Sequence, residues 1–341
     1  MVLVGGAIYE VADPVHPKLL CTIRNTAAHL YTGDTFTYVR GSAGGFDVVL
    51  HSMGSGNESV IGSFPLAFNQ AAGGYPAWTP DGSVAASETQ DTNSSGDQVI
   101  HVWLSSQRGA TEVYSFPLPL TDCICRFGLA PPTLSFSPDG VYLLSGWPIG
   151  KGGFLAPLEV HRVSDQSLVK TFDVGTAPLA IWERTGHRLL LSGSAGVQAW
   201  TPEGGIVSLG SAHFGAEPSL SPDGLHVAYT SYTDPAVPAS LRVYTYDVAS
   251  NQERLLVDTL RSEVLFVKDG WVWYREELEC GTNSPTCPPW GTSPGDRVFA
   301  MDLAVGAETP VVFAAGESPS ALQSAWAGEY GVQGPEFWPN S

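Results

Sequence analysis

Two glutamates and several histidines stand at points of the chain where they could carry out chemistry. Glu217 and Glu263 each begin a short apolar stretch, and His213 lies four residues before Glu217. Carboxylate oxygens are the ligands that hard divalent cations such as Ca²⁺ prefer, and a carboxylate or an imidazole can act as a general base. If the fold gathers these residues, they predict a metal site or a hydrolytic site.

No complete catalytic signature accompanies these candidates. The sequence contains no G-x-S-x-G nucleophile elbow, no G-x-x-x-x-G-K-[ST] phosphate loop, no H-E-x-x-H helix and no dinucleotide-binding fingerprint. We therefore assign no catalytic residue from the sequence. An enzymatic role is the alternative to a binding role.

A short motif that contains Pro, Asp and Gly repeats along the chain. It indicates the strands that would position the candidate site residues. It reads TPDG at 79–82 and SPDG at 137–140 and 221–224. Looser versions surround three further markers: Asp34, Thr185 and Asp269. In chain order the six markers lie 47, 58, 46, 38 and 46 residues apart. A period of this size is typical of a unit of about four strands.

The repeated phrase is suited to a tight turn between two strands. An Asp side chain can accept hydrogen bonds from the backbone of its own turn, and Gly adopts positive φ without a steric cost. We therefore interpret four aspartates as turn residues rather than reacting groups: Asp81, Asp139, Asp223 and Asp269.

The composition favours many short strands joined by turns. Hydrophobic residues make up 43% of the 341 positions, only 15% are charged, and there are 38 Gly and 26 Pro. No long stretch shows the i, i+3, i+4 apolar spacing of a helix. These features predict an all-β fold.

The Pro-Asp-Gly phrase, with the apolar strand before it, resembles the repeat of TolB-type, WD-repeat-like β-propellers. That repeat also occurs in the propellers of prolyl-oligopeptidase-type proteins. The resemblance implies a single β-propeller over residues 1–341, without a fused peptidase domain. It implies nothing specific about activity, because the same architecture serves scaffolds, ligand binders and enzymes.

The six markers define six blades, and the two ends of the chain supply a seventh. Residues 1–24 read like outer strands, whereas residues 321–332 read like an inner hairpin half. We expect the two segments to pair in one shared blade, which would close the ring and hide sheet edges. Seven blades of about 49 residues fit the period better than six of about 57, which remains the alternative.

Alignment of the units on their turn residues places candidate side chains at one mouth of the expected central channel. The channel-mouth candidates are His29, Tyr75, His213, Glu217 and Glu263. Glu217 and Glu263 occupy equivalent positions of adjacent blades, and are the predicted ligands of a divalent cation such as Ca²⁺. The alternative is a set of polar residues that solvate a water-filled channel.

Two segments interrupt the period and are expected to be loops. The first is the polar stretch 88–98, and the second is the long insertion 276–296, in which Cys280 and Cys287 bracket CGTNSPTC. A disulfide between these cysteines would staple the insertion, and two free thiols are the alternative. The disulfide favours a bacterial periplasmic or secreted protein whose leader is missing from the sequence, and a cytoplasmic location is the alternative.

Charge limits the classes of partner. The net charge of −18 would repel phosphate backbones and anionic lipids, so we expect no nucleic-acid partner, and the sequence contains no apolar membrane span. We predict a monomeric binding or scaffold protein that presents loops and a channel to a protein, peptide or glycan. The alternative is a metal-dependent esterase, lactonase or phosphotriesterase.

Overall fold

A computed structural model describes most of the chain in the form of short antiparallel strands. The described residues are 1–4, 7–23, 28–30, 34–43, 45–65, 76–96, 98–106, 108–118, 133–149, 153–172, 179–183, 186–193, 196–210, 216–233, 240–279, 292–319 and 322. Within these ranges the chain forms strands β1 to β27 and no α-helix. None of the described residues therefore forms a helix long and apolar enough to cross a bilayer.

The strands form seven antiparallel sheets in chain order. The amino-terminal sheet holds β1 (Val2–Val4), β2 (Ala7–Glu10) and β3 (Lys18–Thr22). The first blade holds β4 (Ala28–Leu30), β5 (Thr35–Ser42), β6 (Gly45–Ser52) and β7 (Glu58–Phe64), and the second β8 (Ala77–Trp78), β9 (Val84–Thr92), β10 (Gln98–Ser106) and β11 (Gly109–Leu118). The third holds β12 (Thr133–Phe136), β13 (Tyr142–Ile149), β14 (Gly153–Arg162) and β15 (Leu168–Phe172).

The remaining sheets repeat the same plan. The fourth blade holds β16 (Leu179–Trp182), β17 (Leu189–Gly193), β18 (Gly196–Thr201) and β19 (Gly205–Gly210). The fifth holds β20 (Ala216–Leu220), β21 (His226–Tyr232), β22 (Leu241–Asp247) and β23 (Gln252–Val257). The sixth holds β24 (Arg261–Lys268), β25 (Trp271–Glu279), β26 (Thr292–Asp302) and β27 (Ala307–Pro310).

This arrangement is a seven-bladed β-propeller, so the predicted all-β fold and blade count are confirmed and the six-bladed alternative does not hold. The amino-terminal sheet contributes three described strands, one more than the two outer strands expected, because VLV at its start also pairs in the sheet. The expected inner strand at 321–332 lies outside the described residues except for Leu322, so its pairing stays a prediction.

The chain divides into two compact units, Met1–Ile23 with Ser208–Ser341 and Arg24–Val207. In the second unit, neighbouring sheets pack through apolar clusters that contain a tryptophan of the later blade. Trp78 donates its indole N–H to Thr37 Oγ1 at 2.9 Å, and Trp182 donates to the Ser135 carbonyl at 3.3 Å. Each ring fills the space between two sheets while its only polar atom keeps a partner.

In the unit that contains both chain ends, the amino-terminal sheet packs against the sixth blade. Val2, Tyr9 and Trp273 are among the buried residues of the shared cluster. Trp273 donates its indole N–H to the Pro14 carbonyl at 2.8 Å, and the Val312 amide donates to the Val15 carbonyl at the same distance. Backbone bonds and an apolar core therefore join the first strands to the last described segment.

The Asp-Gly steps form tight turns between the first and second strands of their sheets. Asp139 Oδ1 accepts hydrogen bonds from the Ser137 hydroxyl at 2.6 Å and the Val141 amide at 3.1 Å, and Gly140 has φ of 70°. Asp81 and Asp223 make the same contacts with their neighbours, and Gly270 after Asp269 also has positive φ. The carboxylate replaces missing backbone partners, while glycine relieves the left-handed backbone.

The polar stretch 88–98 is mostly strand, contrary to the expected loop. Strand β9 continues to Thr92 and β10 begins at Gln98, so only five positions separate them. Trp103 donates its indole N–H to Thr89 Oγ1 at 2.8 Å, which gives this polar residue a partner within the sheet. Both ends of the predicted insertion are also strand: residues 276–279 belong to β25 and residues 292–296 belong to β26. Residues 280–291 lie outside the described residues.

Candidate functional site

We call one end of each blade its mouth end: the end at which the first strand begins and the second strand ends. Antiparallel pairing brings these two points together. In the sixth blade, Arg261 at the start of β24 pairs with Glu276, whereas Lys268 at its other end pairs with Trp271 beside the Asp-Gly turn. Candidate residues at the start of a first strand therefore lie beside residues near the end of the second strand.

Among the five channel-mouth candidates, Glu263 is the one whose side chain the structure describes. It forms an ion pair with Arg275. Its Oε2 accepts a hydrogen bond from Arg275 Nε at 2.6 Å and another from the Leu322 amide at 2.8 Å. The side chains of Glu263 and Arg275 are only 15% and 6% exposed. A charge-assisted hydrogen bond in such surroundings is stronger than the same contact in water.

Arg275 connects Glu263 to two further segments. Its Nη1 donates to the Gly295 carbonyl at 3.3 Å, and its Nη2 donates to the Pro319 carbonyl at 3.0 Å. The guanidinium group therefore holds together the first, second and third strands of the sixth blade and the last described segment of the chain. We call Glu263 and Arg275, with these contacts, the Arg275 clamp.

The backbone of Glu263 is unusual for a strand residue. Its φ is 51°, in the left-handed region that favours glycine, and it lies at an irregularity in the pairing between Ser262 and Leu265. A non-glycine residue held in this conformation costs on the order of 1 kcal/mol, and persists only where its surroundings fix it. The bonds to Arg275 and Leu322 supply that restraint.

The other channel-mouth candidates have no described side chains, so their gathering at one site stays a prediction. Glu217 lies on β20 and His29 lies on β4, but their side chains are outside what the structure describes. Tyr75 and His213 lie outside the described residues altogether, as do Cys280 and Cys287. Among the described residues, no group of three or more His, Cys, Asp or Glu could hold a metal ion.

Sequence reasoning missed two buried glutamates at the mouth end. Glu88 lies in the middle of β9, just beyond the residues that pair with β8, and is 3% exposed; its Oε1 has no hydrogen-bond partner among the described residues. Burial raises the pKa of Glu88 well above its ordinary value of 4.5. Glu277 on β25 is also buried, and its Oε2 is likewise without a described partner. The available signal was the position of each glutamate in a second strand, after an apolar run: VAA in β9 and WVWY in β25.

A polar cluster between the second and third blades lies near Glu88. The Tyr114 hydroxyl donates to Ser145 Oγ at 2.9 Å, and the Tyr114 ring stacks on His161 with centroids 5.2 Å apart. His161 Nε2 lies 2.8 Å from Glu159 Oε2. Burial raises the pKa of Tyr114, and the charges of Glu88 and Glu159 raise it further. Ser145 is thus bonded to a phenol, and His161 faces a carboxylate.

Two described histidines outside this cluster, His187 and His226, lie next to carboxylates. His187 Nδ1 is 2.7 Å from Asp139 Oδ2, and its Nε2 is 3.4 Å from Glu203 Oε2. The hydrogen bond with Asp139 raises the pKa of His187. His226 similarly lies between Asp223 and Asp247. These pairs connect turn residues to neighbouring strands.

Comparisons with known proteins concern the fold. No protein-family model and no curated protein matches the chain. Similar solved structures include the β-propeller domain of the Trilobed protease from Pyrococcus furiosus, at 14% identity over 90% of this chain and 83% of that one, with a TM-score of 0.47. TolB from Acinetobacter baumannii is 16% identical over 88% of this chain and 57% of its own, with a TM-score of 0.38.

The putative TolB from Agrobacterium tumefaciens is 12% identical over 87% of this chain and 84% of its own, with a TM-score of 0.34. At these identities and TM-scores the likenesses carry no argument about function, and the fold is established by the strand pairing itself. The chain is a seven-bladed β-propeller whose structural neighbours include TolB proteins and a protease propeller domain.

Proposed function

We propose that this propeller is a non-catalytic binding protein that engages a protein or peptide at the mouth ends of its blades. Its repeated residues form turns and inter-blade packing, and the mouth-end pair of Glu263 and Arg275 holds strands together. A glycan is the second ligand class compatible with such a surface. The net charge of −18 favours neutral or basic partners over acidic ones.

The observation that carries this proposal is the Arg275 clamp. A carboxylate that serves as a metal ligand or general base must direct an oxygen toward the ion or substrate. Glu263 instead directs Oε2 to the Arg275 guanidinium and the Leu322 amide. Pairing with a guanidinium occupies a carboxylate oxygen and offsets the negative charge that would attract a cation. This supports a structural role for Glu263.

Hydrolase profiling with and without EDTA tests the proposal against the metal-dependent alternative. Esters, lactones and phosphotriesters would be offered to the wild-type chain, to Glu217→Gln and to Glu263→Gln, with Glu112→Gln as an exposed control. Gln preserves an oxygen that can accept the Leu322 N–H. We expect no chelator-sensitive hydrolysis. Robust hydrolysis that EDTA abolishes and that both mouth variants lose would overturn the proposal.

A positive test measures binding directly. The chain would be screened against an array of peptides and glycans at low and at physiological salt. We expect bound peptides to be neutral or basic, with affinity that weakens as salt rises. Binding confined to acidic peptides, or to none of the array, would contradict the proposal.

We also propose an extracytoplasmic location, supported by the spacing of Cys280 and Cys287 around a short Gly- and Pro-containing loop. Peptide mass mapping without reducing agent, on protein from an oxidising compartment, should recover these two cysteines in one cross-linked fragment. Recovery of two unmodified thiols would remove the support for this location.

A further inference from the structure

Within the described residues, each blade ends in an outer strand with one unpaired edge, and these edges differ in how they are protected. The outermost strands are β3, β7, β11, β15, β19, β23 and β27. An exposed edge presents backbone N–H and C=O groups to which another strand can add, and charged side chains on the edge discourage such addition. The composition of each outer strand therefore indicates which edges are closed to other chains.

Strand β19 is the exception among these edges. The other six outer strands carry at least one charged residue: Lys18, Glu58, Glu112, Lys170, Glu253 with Arg254, and Glu308. Strand β19 reads GIVSLG and carries none. It contains no proline, and its isoleucine and valine favour extended structure.

The apolar side chains of β19 are accessible on both faces. Ile206 is 45% exposed and Val207 is 54% exposed. Since successive strand residues point to opposite faces, a strand added beside β19 would find an apolar contact above and below the sheet. Gly205, with φ of 68°, sets the turn before this edge.

The charge around this edge indicates what it would accept. Glu203, in the turn that precedes β19, has a side chain that is 70% exposed. A second copy of this chain would bring another net charge of −18 to the same place, whereas a peptide with a basic residue would gain attraction from Glu203. Charge therefore favours a basic-flanked segment over self-association.

We propose that β19 is a second docking surface, where an extended segment of a partner protein, with alternating β-branched residues and a flanking Lys or Arg, adds a strand to the fourth blade. Backbone hydrogen bonds would supply affinity, while Ile206, Val207 and Glu203 would select the side chains. This surface does not depend on the mouth-end binding proposed above.

The test uses a fluorescent peptide, Lys-Val-Thr-Val-Thr-Val-Lys, and measures its anisotropy with the full chain. The control peptide Lys-Val-Thr-Pro-Thr-Val-Lys has the same charge but cannot add as a strand, because proline lacks an N–H. We expect the first peptide to bind at least about tenfold more tightly than the second. Equal affinities would overturn the proposal.

Matched variants separate strand addition from simple charge attraction. Val207→Lys places a charge on β19, and Val60→Lys makes the same change on β7, where the valine is 48% exposed. We expect Val207→Lys to weaken peptide binding about tenfold and Val60→Lys to change it less than about twofold. An equal loss in both variants would show general electrostatic repulsion and reject the site.

Two controls complete the design. Unfolding temperatures of both variants should match that of the wild-type chain, because both residues are largely exposed. Sedimentation of the wild-type chain should show a monomer across the peptide-binding concentrations. A dimer that Val207→Lys dissociates would assign this edge to a second copy and overturn the peptide proposal.

Discussion

Glu88 shows at the residue scale how a buried carboxyl group ties stability to pH. Its side chain is buried near Tyr114 with Oε1 lacking a described partner, so the neutral form is the one that burial favours. Ionisation there would place a charge in a poorly solvated site. Folding therefore holds the proton on Glu88 at pH values where the unfolded chain releases it.

Glu88→Gln should stabilise the fold increasingly as the pH rises. The folded-state pKa of Glu88 lies above its ordinary value of 4.5, so wild-type stability falls from about that pH toward the folded pKa. Glutamine does not titrate, and its advantage should reach about 1–3 kcal/mol near pH 8 and be smaller near pH 5. Urea unfolding of both proteins at several pH values measures this difference in the free energy of unfolding.

Glu112→Gln is the matched control for Glu88→Gln. Glu112 is exposed, and its hydrogen bond with His101 lowers the pKa of the carboxyl group. Its replacement should not produce a stabilisation that grows with pH. A pH-independent difference between Glu88→Gln and wild type would show that Glu88 ionises in the fold without a penalty.

At the scale of the element, the Arg275 clamp fixes the start of β24 against β25 and the segment that ends at Leu322. An ion pair this well buried is costly to break, because the remaining charge loses both water and partner. The net contribution of this ion pair to the free energy of unfolding is smaller than the cost of breaking it, because both charges lose water when the chain folds. The distinction can be measured with single and double variants.

Arg275→Met should lower the free energy of unfolding by about 3–5 kcal/mol, because it leaves the Glu263 carboxylate buried without its cation. Adding Glu263→Gln should recover part of that loss, since the remaining side chain is neutral. Urea unfolding supplies the double-mutant cycle, and hydrogen exchange at Leu322 reports release of the last described segment. Strictly additive losses would show that the two side chains are not coupled.

At the scale of the whole molecule, the net charge of −18 opposes folding through self-repulsion. Salt at about 0.15 M screens charges beyond about 8 Å while leaving the buried Glu263–Arg275 pair largely unaffected. The unfolding temperature should therefore rise by a few degrees between about 0.01 M and about 0.15 M NaCl. An uncharged solute at matched osmolality is the control, and a fall in the unfolding temperature would show that surface ion pairs outweigh the repulsion.

The repeat of four-stranded blades could be predicted because each first turn is specified by residues close together in the sequence. Asp139 and Gly140 form their turn through contacts with Ser137 and Val141, all within five consecutive positions. Such a turn has the same sequence pattern wherever it occurs in the chain. Its repetition therefore indicated both the strand pairs and their period. The stretch 88–98 was misread because polar composition is typical of loops, whereas pairing and Trp103 make most of it strand.

The candidate site could be predicted only as a set of positions. The sequence by itself determined the all-β repeat, the seven blades and the placement of Glu263 at the start of a first strand, since these depend on turn chemistry and strand periodicity. Only the tertiary structure decided that Glu263 faces Arg275 and Leu322, and that Glu88 is buried beside Tyr114. Burial and long-range partners determine what a carboxylate can do, and both arise from packing between segments that are distant in sequence.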